Sequence, residues 1–332
     1  MGGMKSTPNA NFFYYAGKRP LGFQKTLRVS LFILLLGSLL LSACQGPPKR
    51  PTAGQTLKAL AAETFLADIA QNVAGERLQV EALLPAGLDP HAFEPTPQDV
   101  ARVAASQVLI VNGAGFEAWL EKVLSNAGGE RLVIEASTGL AQRAGSAEEG
   151  QANEEHEGDP HFWLNPLLTI HYVENIRDGL IQADPQGKAT YTQNAADYIE
   201  KLKALDGWIE AQIQQIPAER RKLVTNHESF GYFADRYGLQ VVGTLIPSSS
   251  SEAAASAQQL ARLVDKIRQV QTTAIFLETG ANPQLAEQIA KETGVKVVTD
   301  LYSHSITPPD GPAPNYLEMM RHNVRLIVDA LQ

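Results

Sequence analysis

Cysteine is nearly missing from this chain. Cys44 is the only one in 332 residues, so no internal disulfide can form and no thiolate cluster can bind metal. The apolar run at 29–41 spans 13 residues, short of the roughly 20 that a membrane-spanning helix wants. No His-Glu-x-x-His occurs, which removes the common helical metalloprotease motif. No acidic residue precedes Cys44, although Asp and Glu number 36 in the whole chain.

What stands in that acid-free stretch is a basic start, Lys5, Lys18, Arg19, Lys25 and Arg28, then the apolar run, then Leu41-Ser42-Ala43-Cys44. A charged start, a short apolar core and small residues before a cut site make a secretory signal. Leu-Ser-Ala-Cys resembles a bacterial lipobox, which implies cleavage before Cys44 and a lipid on its sulfur and amine. The competing reading is an uncut single-pass anchor with a lone cysteine. The expected divisions are a signal peptide at 1–43 and a Pro/Gly-rich flexible tether at 44–56. Cleavage removes 5 of 28 Lys and Arg and no acid, leaving 23 minus 36, or −13. Such a charge opposes nucleic acid and an anionic membrane face as main partners.

From residue 57 onward, short β-rich runs alternate with amphipathic stretches. Runs at 78–84, 108–112 and 131–135 read as strands, with a helix start at Thr96-Pro97-Gln98-Asp99, where Thr96 caps and Asp99 completes the box. A second helix is expected at 115–126. The stretch 141–158 has no periodicity and few apolar residues, and is expected to be an acidic loop. Asn165-Pro166 starts another helix. Over 187–216, Tyr191, Ala195, Tyr198, Leu202, Leu205, Trp208 and Ile209 recur at three and four, predicting one long helix. The pattern then repeats, with strands at 222–226, 240–245, 273–277 and 295–299 and helices at 229–237, 251–269, 282–293 and 315–331. The fold class is α/β: two lobes (57–186 and 217–332) with mainly parallel sheets, joined by the helix at 187–216.

Of the seven histidines, four fall where ligands belong in such sheets. His91, His227 and His304 follow predicted strands, and His161 sits in the turn before the Asn165-capped helix. Two belong to each half, so a cleft between lobes can gather all four, and four nitrogen donors make a closed tetrahedral zinc site. Taken singly, each is equally readable as a polar surface residue. His91 and His161 both follow Asp-Pro, which stiffens the turn that presents them. The adjacent aspartate can hold the non-ligating ring nitrogen, or simply make the turn. Glu278, at a strand end, reads either as such a carboxylate or as a helix start. His171 and His322 read as helix-surface residues. Trp163 and Tyr232 read as packing that keeps the site dry.

These segments resemble the zinc/manganese family of ABC-transporter solute-binding proteins. The likeness runs from about residue 57 to the end. It rests on Asp89-Pro90-His91-Ala92-Phe93-Glu94-Pro95-Thr96-Pro97, on Asp159-Pro160-His161-Phe162-Trp163-Leu164-Asn165-Pro166, on Asn226-His227-Glu228-Ser229-Phe230-Gly231-Tyr232-Phe233, and on the ending at 311–323. The resemblance implies two α/β lobes on a rigid backbone helix, metal at their interface, and His91, His161 and His227 as ligands. Manganese-type members often carry Glu at the third position, so His227 leans toward zinc. At the fourth position members commonly have an Asp about fifteen residues before paired methionines. Spacing from Met319-Met320 puts His304 there, and Asp300 is the alternative. His156, in the acidic loop, is a thin version of the His-rich loop of zinc-type relatives.

The expected function is therefore an extracytoplasmic, lipid-anchored, monomeric binding subunit, not an enzyme. It captures Zn2+, with Mn2+ as the alternative, and serves an ABC permease and its ATPase. A secreted zinc hydrolase and a metal-stapled adhesin are the competing classes.

Overall fold

A computed structural model describes residues 57–143, 158–248, 250–252 and 254–332. The expected signal and tether, Cys44, and residues 144–157 of the expected acidic loop, with His156, lie outside the described residues.

In the first lobe, β1 (Ala59–Ala61), β2 (Val80–Ala82), β3 (Val108–Val111) and β4 (Leu132–Glu135) form one parallel sheet in the order β2-β1-β3-β4. The second holds β5 (Lys222–Thr225), β6 (Gln240–Thr244), β7 (Ala274–Glu278) and β8 (Lys296–Leu301), parallel in the order β6-β5-β7-β8. Central strands β3 and β7 are buried throughout. That explains their continuous apolar sequences, because helices cover both faces of a parallel sheet. In each sheet the chain reverses direction of travel between the two central strands, and the crevice outside their carboxyl ends is where such sheets place ligands.

The helices are α1 (Thr64–Ala74), α2 (Pro97–Ala105), α3 (Leu120–Ala127), α4 (Pro166–Ala183), α5 (Lys188–Ile213), α6 (Gly231–Tyr237), α7 (Ala257–Val270), α8 (Gln284–Thr293) and α9 (Tyr316–Leu331). Thr96 and Asp99 close a reciprocal capping box on α2, and the Asn165 side chain caps α4. Helix α3 starts five residues later than the periodicity predicts. Gly113, Ala114 and Gly115 all have positive φ, a left-handed run that no α-helix can include. Helix α7 also starts late, at the Ser256–Gln259 capping box. Strand β1 and helix α1 have no counterpart among the expected elements; three residues of strand are too few for alternation to show.

Helix α5 has 26 residues, about 39 Å at 1.5 Å per residue. Tyr191, Ala195, Tyr198, Leu202, Leu205, Ile209 and Ile213 line its buried face. One apolar cluster runs from Val108 and Ile110 of the first lobe, through Tyr198 and Leu202, to Leu223, Phe276 and Met320 of the second. The lobes thus share a core, and truncating a fully buried leucine such as Leu202 to alanine removes about 2–5 kcal/mol. Among the described residues, no helix is long and apolar enough to cross a membrane.

Candidate metal centre

Four imidazoles meet between the lobes. His91 comes from the loop after β2, His161 from a short 3-10 turn before α4, His227 from just beyond β5 and His304 from the loop after β8. Their donor atoms all lie within 4.8 Å of one another. The His91 and His161 Nε2 atoms are 3.4 Å apart, and those of His161 and His227 are 3.3 Å apart. His161 and His227 are completely buried, and the His304 side chain is 10% exposed.

Each ring is set by its neighbours. Asp159 Oδ1 accepts from the His161 backbone N–H at 2.9 Å and meets His161 Nδ1 at 2.8 Å. The turn itself is pinned to the first sheet, because Asn112 at the end of β3 donates to the Pro160 carbonyl at 3.2 Å. Glu278 ends β7 and serves two rings. Its Oε1 lies 2.7 Å from His227 Nδ1, a close ion-pair contact rather than an aligned hydrogen bond. Its Oε2 lies 3.5 Å from His304 Nδ1. Ser229 donates to Oε1 at 3.1 Å, and Ser303 donates to Oε2.

A carboxylate oxygen against Nδ1 requires a proton on that nitrogen. On His161 and His227 a proton is therefore at Nδ1, and the two Nε2 atoms face each other at 3.3 Å, as two lone pairs when His227 is neutral and as donor and acceptor when it is charged. Two lone pairs at that distance repel unless a cation or a proton lies between them. His304 Nε2 is buried with no partner at all.

Burial holds His91 down at about 4, with the His227 charge adding to it. Burial also pushes His161 and His304 well below the ordinary histidine value. Burial opposes charging of His227 too, but Glu278 reverses the balance and raises its pKa. Burial raises Glu278, yet His227 wins and holds its carboxyl well below the usual range. Three rings are thus neutral at pH 7. Burial lifts Asp159 to about 6, with the His161 N–H and Arg143 pulling the other way. The Asp159 and Glu278 carboxylates stand behind the rings of His161, His227 and His304 and give this cluster of imidazoles a local negative charge.

Dry walls complete the site. Phe116 packs edge-on to His91 at 4.9 Å, and Trp163 lies 5.1 Å from His161. Trp163 Nε1 donates to the Ser303 carbonyl at 2.6 Å, joining the first lobe to the His304 loop. Tyr232 donates to the Asp159 carbonyl at 2.8 Å.

The other singled-out residues are elsewhere. Asp300 is exposed with φ 70°, its carboxylate accepts from Thr299 Oγ1, and it is not in the cluster. Asp89 does not hold the His91 ring. Its Oδ1 accepts the His91 backbone N–H at 3.0 Å, and its Oδ2 accepts from Ser251 of the second lobe. His171 is on the exposed surface of α4, and the His322 ring meets the Asp300 carbonyl at 3.1 Å. Sequence reasoning passed over Phe116 and the two serines on Glu278. Ser303 had a signal in its adjacency to His304, and Phe116 had none.

Residues 60–330 match the family model described as Zinc-uptake complex component A periplasmic. The chain is 32% identical over 303 residues to the Manganese-binding lipoprotein MntA of Halalkalibacterium halodurans, covering 90% of this chain and 97% of that one. It is 30% identical over 310 residues to the Manganese ABC transporter substrate-binding lipoprotein PsaA of Streptococcus anginosus, covering 91% and 98%. Among solved structures it resembles the Mn-bound periplasmic metal binding protein of candidatus liberibacter asiaticus, with TM-score 0.74, 27% identity and coverage of 83% and 100%. The periplasmic zinc binding protein TroA of Treponema pallidum is similar at TM-score 0.73 and 28% identity, covering 83% and 99%. With two parallel-sheet lobes on a long helix and an imidazole cluster between them, the chain belongs to the zinc-uptake component A family, the solute-binding proteins of metal ABC importers, which capture cargo and are not enzymes.

Proposed function

We propose that His91, His161, His227 and His304 together hold one divalent transition ion, that the ion is zinc, and that the protein hands it to an ABC permease and its ATPase. The observation that carries this reading is the spacing of the Nε2 atoms, 3.3 and 3.4 Å. A tetrahedron with Zn–N of about 2.0–2.1 Å has edges of about 3.3–3.4 Å. Neutral imidazole suits zinc, whereas manganese favours oxygen donors and sits below zinc in the affinity order. Manganese is the second reading, and it rests on the names of the relatives, most of which are manganese proteins. Four protein donors leave no open position for a catalytic water, which argues against a hydrolase.

The lipid on Cys44, a monomeric state and attachment outside the cell membrane belong to the same proposal. The lipoprotein names of the relatives support the anchor. The shared apolar core argues against a metal staple, because one cluster of buried side chains already joins both lobes through α5. Equilibrium competition at equal free zinc and free manganese is the test. The expected result is one zinc per chain, with a cooperative fold kept after chelation. Tighter manganese binding sinks the zinc assignment, and unfolding on chelation sinks the transport reading.

A further inference from the structure

Two carboxyls are buried together in the first lobe, outside the imidazole cluster. Glu63 leads into α1 and is 1% exposed; Glu117 follows the left-handed turn after β3 and is 6% exposed. Both oxygens of Glu117 are taken, Oε1 by the Asn112 N–H and Oε2 by the Gly113 N–H at 3.0 Å. Neither oxygen of Glu63 has a hydrogen-bonding N–H among the described residues, and the polar group it meets is the Glu117 carboxyl. Neighbouring buried carboxyls do not both ionise near neutral pH, because like charges repel where water cannot hydrate them. Burial, then the Glu117 charge, pushes Glu63 well above the usual carboxylate range. Burial lifts Glu117 to about 7, with the Asn112 and Gly113 N–H groups pulling the other way. Those donors favour charge on Glu117, so the last proton of the pair belongs on Glu63. The ionisable groups facing the pair are Glu135 of β4 and Tyr172 of α4, neither of them a cation. Three of the four rings connect to it. Asn112, whose N–H Glu117 holds, donates from Nδ2 to the Pro160 carbonyl, one residue before His161. Thr64, next to Glu63, accepts the Ile306 N–H of the His304 loop at 3.0 Å. Phe116, next to Glu117, packs on His91.

We propose that Glu63 and Glu117 share one proton, Glu63 donating its O–H to Glu117, and that this bond is the footing on which Asn112 holds the His161 turn. Both are positioning residues. Their bearing on the ion rests on the four-imidazole reading above; the shared proton does not. Alkali takes the proton to water and leaves two buried anions side by side. Glu63 is raised in the folded chain, so the stability it contributes is present below its ordinary value of 4.5 and is lost as pH climbs through the folded one.

Infrared spectra of the metal-free full chain at pH 8 should show the carbonyl stretch of a protonated carboxyl, and Glu63→Gln should lack it. Asp68 and Asp159, at about 6, are ionised there and do not contribute. Glu63→Gln keeps a donor to Glu117 but has no proton to lose. While the band persists, up to about pH 9.5 and below the ordinary tyrosine value of about 10, the wild-type folding constant should fall about tenfold per unit relative to Glu63→Gln. Zinc affinity of Glu63→Gln should stay within about threefold of wild type. Glu63→Met, which has no donor, and Glu117→Gln, which sets an N–H against an N–H, should each lose about 10–100-fold. A missing band, a band that survives in Glu63→Gln, or equal pH slopes overturns the shared proton. Wild-type zinc affinity in whichever of Glu63→Met and Glu117→Gln folds overturns the positioning role. Absence of tight zinc binding in the wild type refutes the four-imidazole reading, whereas the band and the pH slopes decide the pair.

Discussion

In the turn at 159–161, one aspartate oxygen accepts the histidine backbone N–H and also holds the ring nitrogen. In the turn at 89–91, the same tripeptide spends its aspartate differently, on the backbone N–H and on Ser251 of the other lobe. The difference follows from burial. Asp159 is 1% exposed, and water cannot satisfy its carboxylate or the His161 ring, so they satisfy each other. Asp89 faces the cleft and can reach across it. Identical local sequence therefore yields one ring-orienting turn and one that ties the lobes together.

Removing a proposed ligand should have the largest effect. His161 has short contacts to two other rings, so His161→Ala should weaken zinc binding well beyond 100-fold by isothermal titration. His304→Ala should do the same, while Asp300→Ala should leave affinity intact; the reverse ranking would return Asp300 to the site. The two turns separate next. Asp159→Asn should cost about 10–100-fold in zinc affinity, the range for groups that orient a ligand.

A pH series gives a smaller effect per unit. Glu278 raises the His227 pKa above 6.5, so below that value one proton must leave for the ion to bind. Affinity should fall about tenfold per unit as pH drops, and a second proton should enter only near 4, at His91. Calorimetry at pH 6 in buffers of different ionisation enthalpy should count about one proton released per ion. Release of three or four would mean that the rings are not held neutral by burial. The same depression of His91 makes its contribution to metal-free stability complete above 6.5 and lost as pH falls toward about 4.

Asp89→Asn should have the smallest effect, within about threefold of wild-type affinity, because it touches no ring. A loss as large as that of Asp159→Asn would show that the two turns work alike after all.

Much of this molecule was determined by sequence alone. The Thr96 and Asn165 caps, the three-and-four spacing on α5 and the apolar runs of β3 and β7 are local signals, because hydrogen-bond rings and side-chain periods close within a few residues. The four histidines were legible from their places after strands and from the two Asp-Pro turns. What stayed hidden depends on distance through space. Glu278 was readable as a ring-holding carboxylate, but its service to His227 and His304, which lie 51 and 26 residues away along the chain, was not. Phe116 walls the site from a loop whose left-handed backbone shows in no pattern, and Asp89 and Asp159 differ only in what surrounds them. Burial and long-range contact decide which carboxylate holds a ring, and those exist only once both lobes have packed on α5.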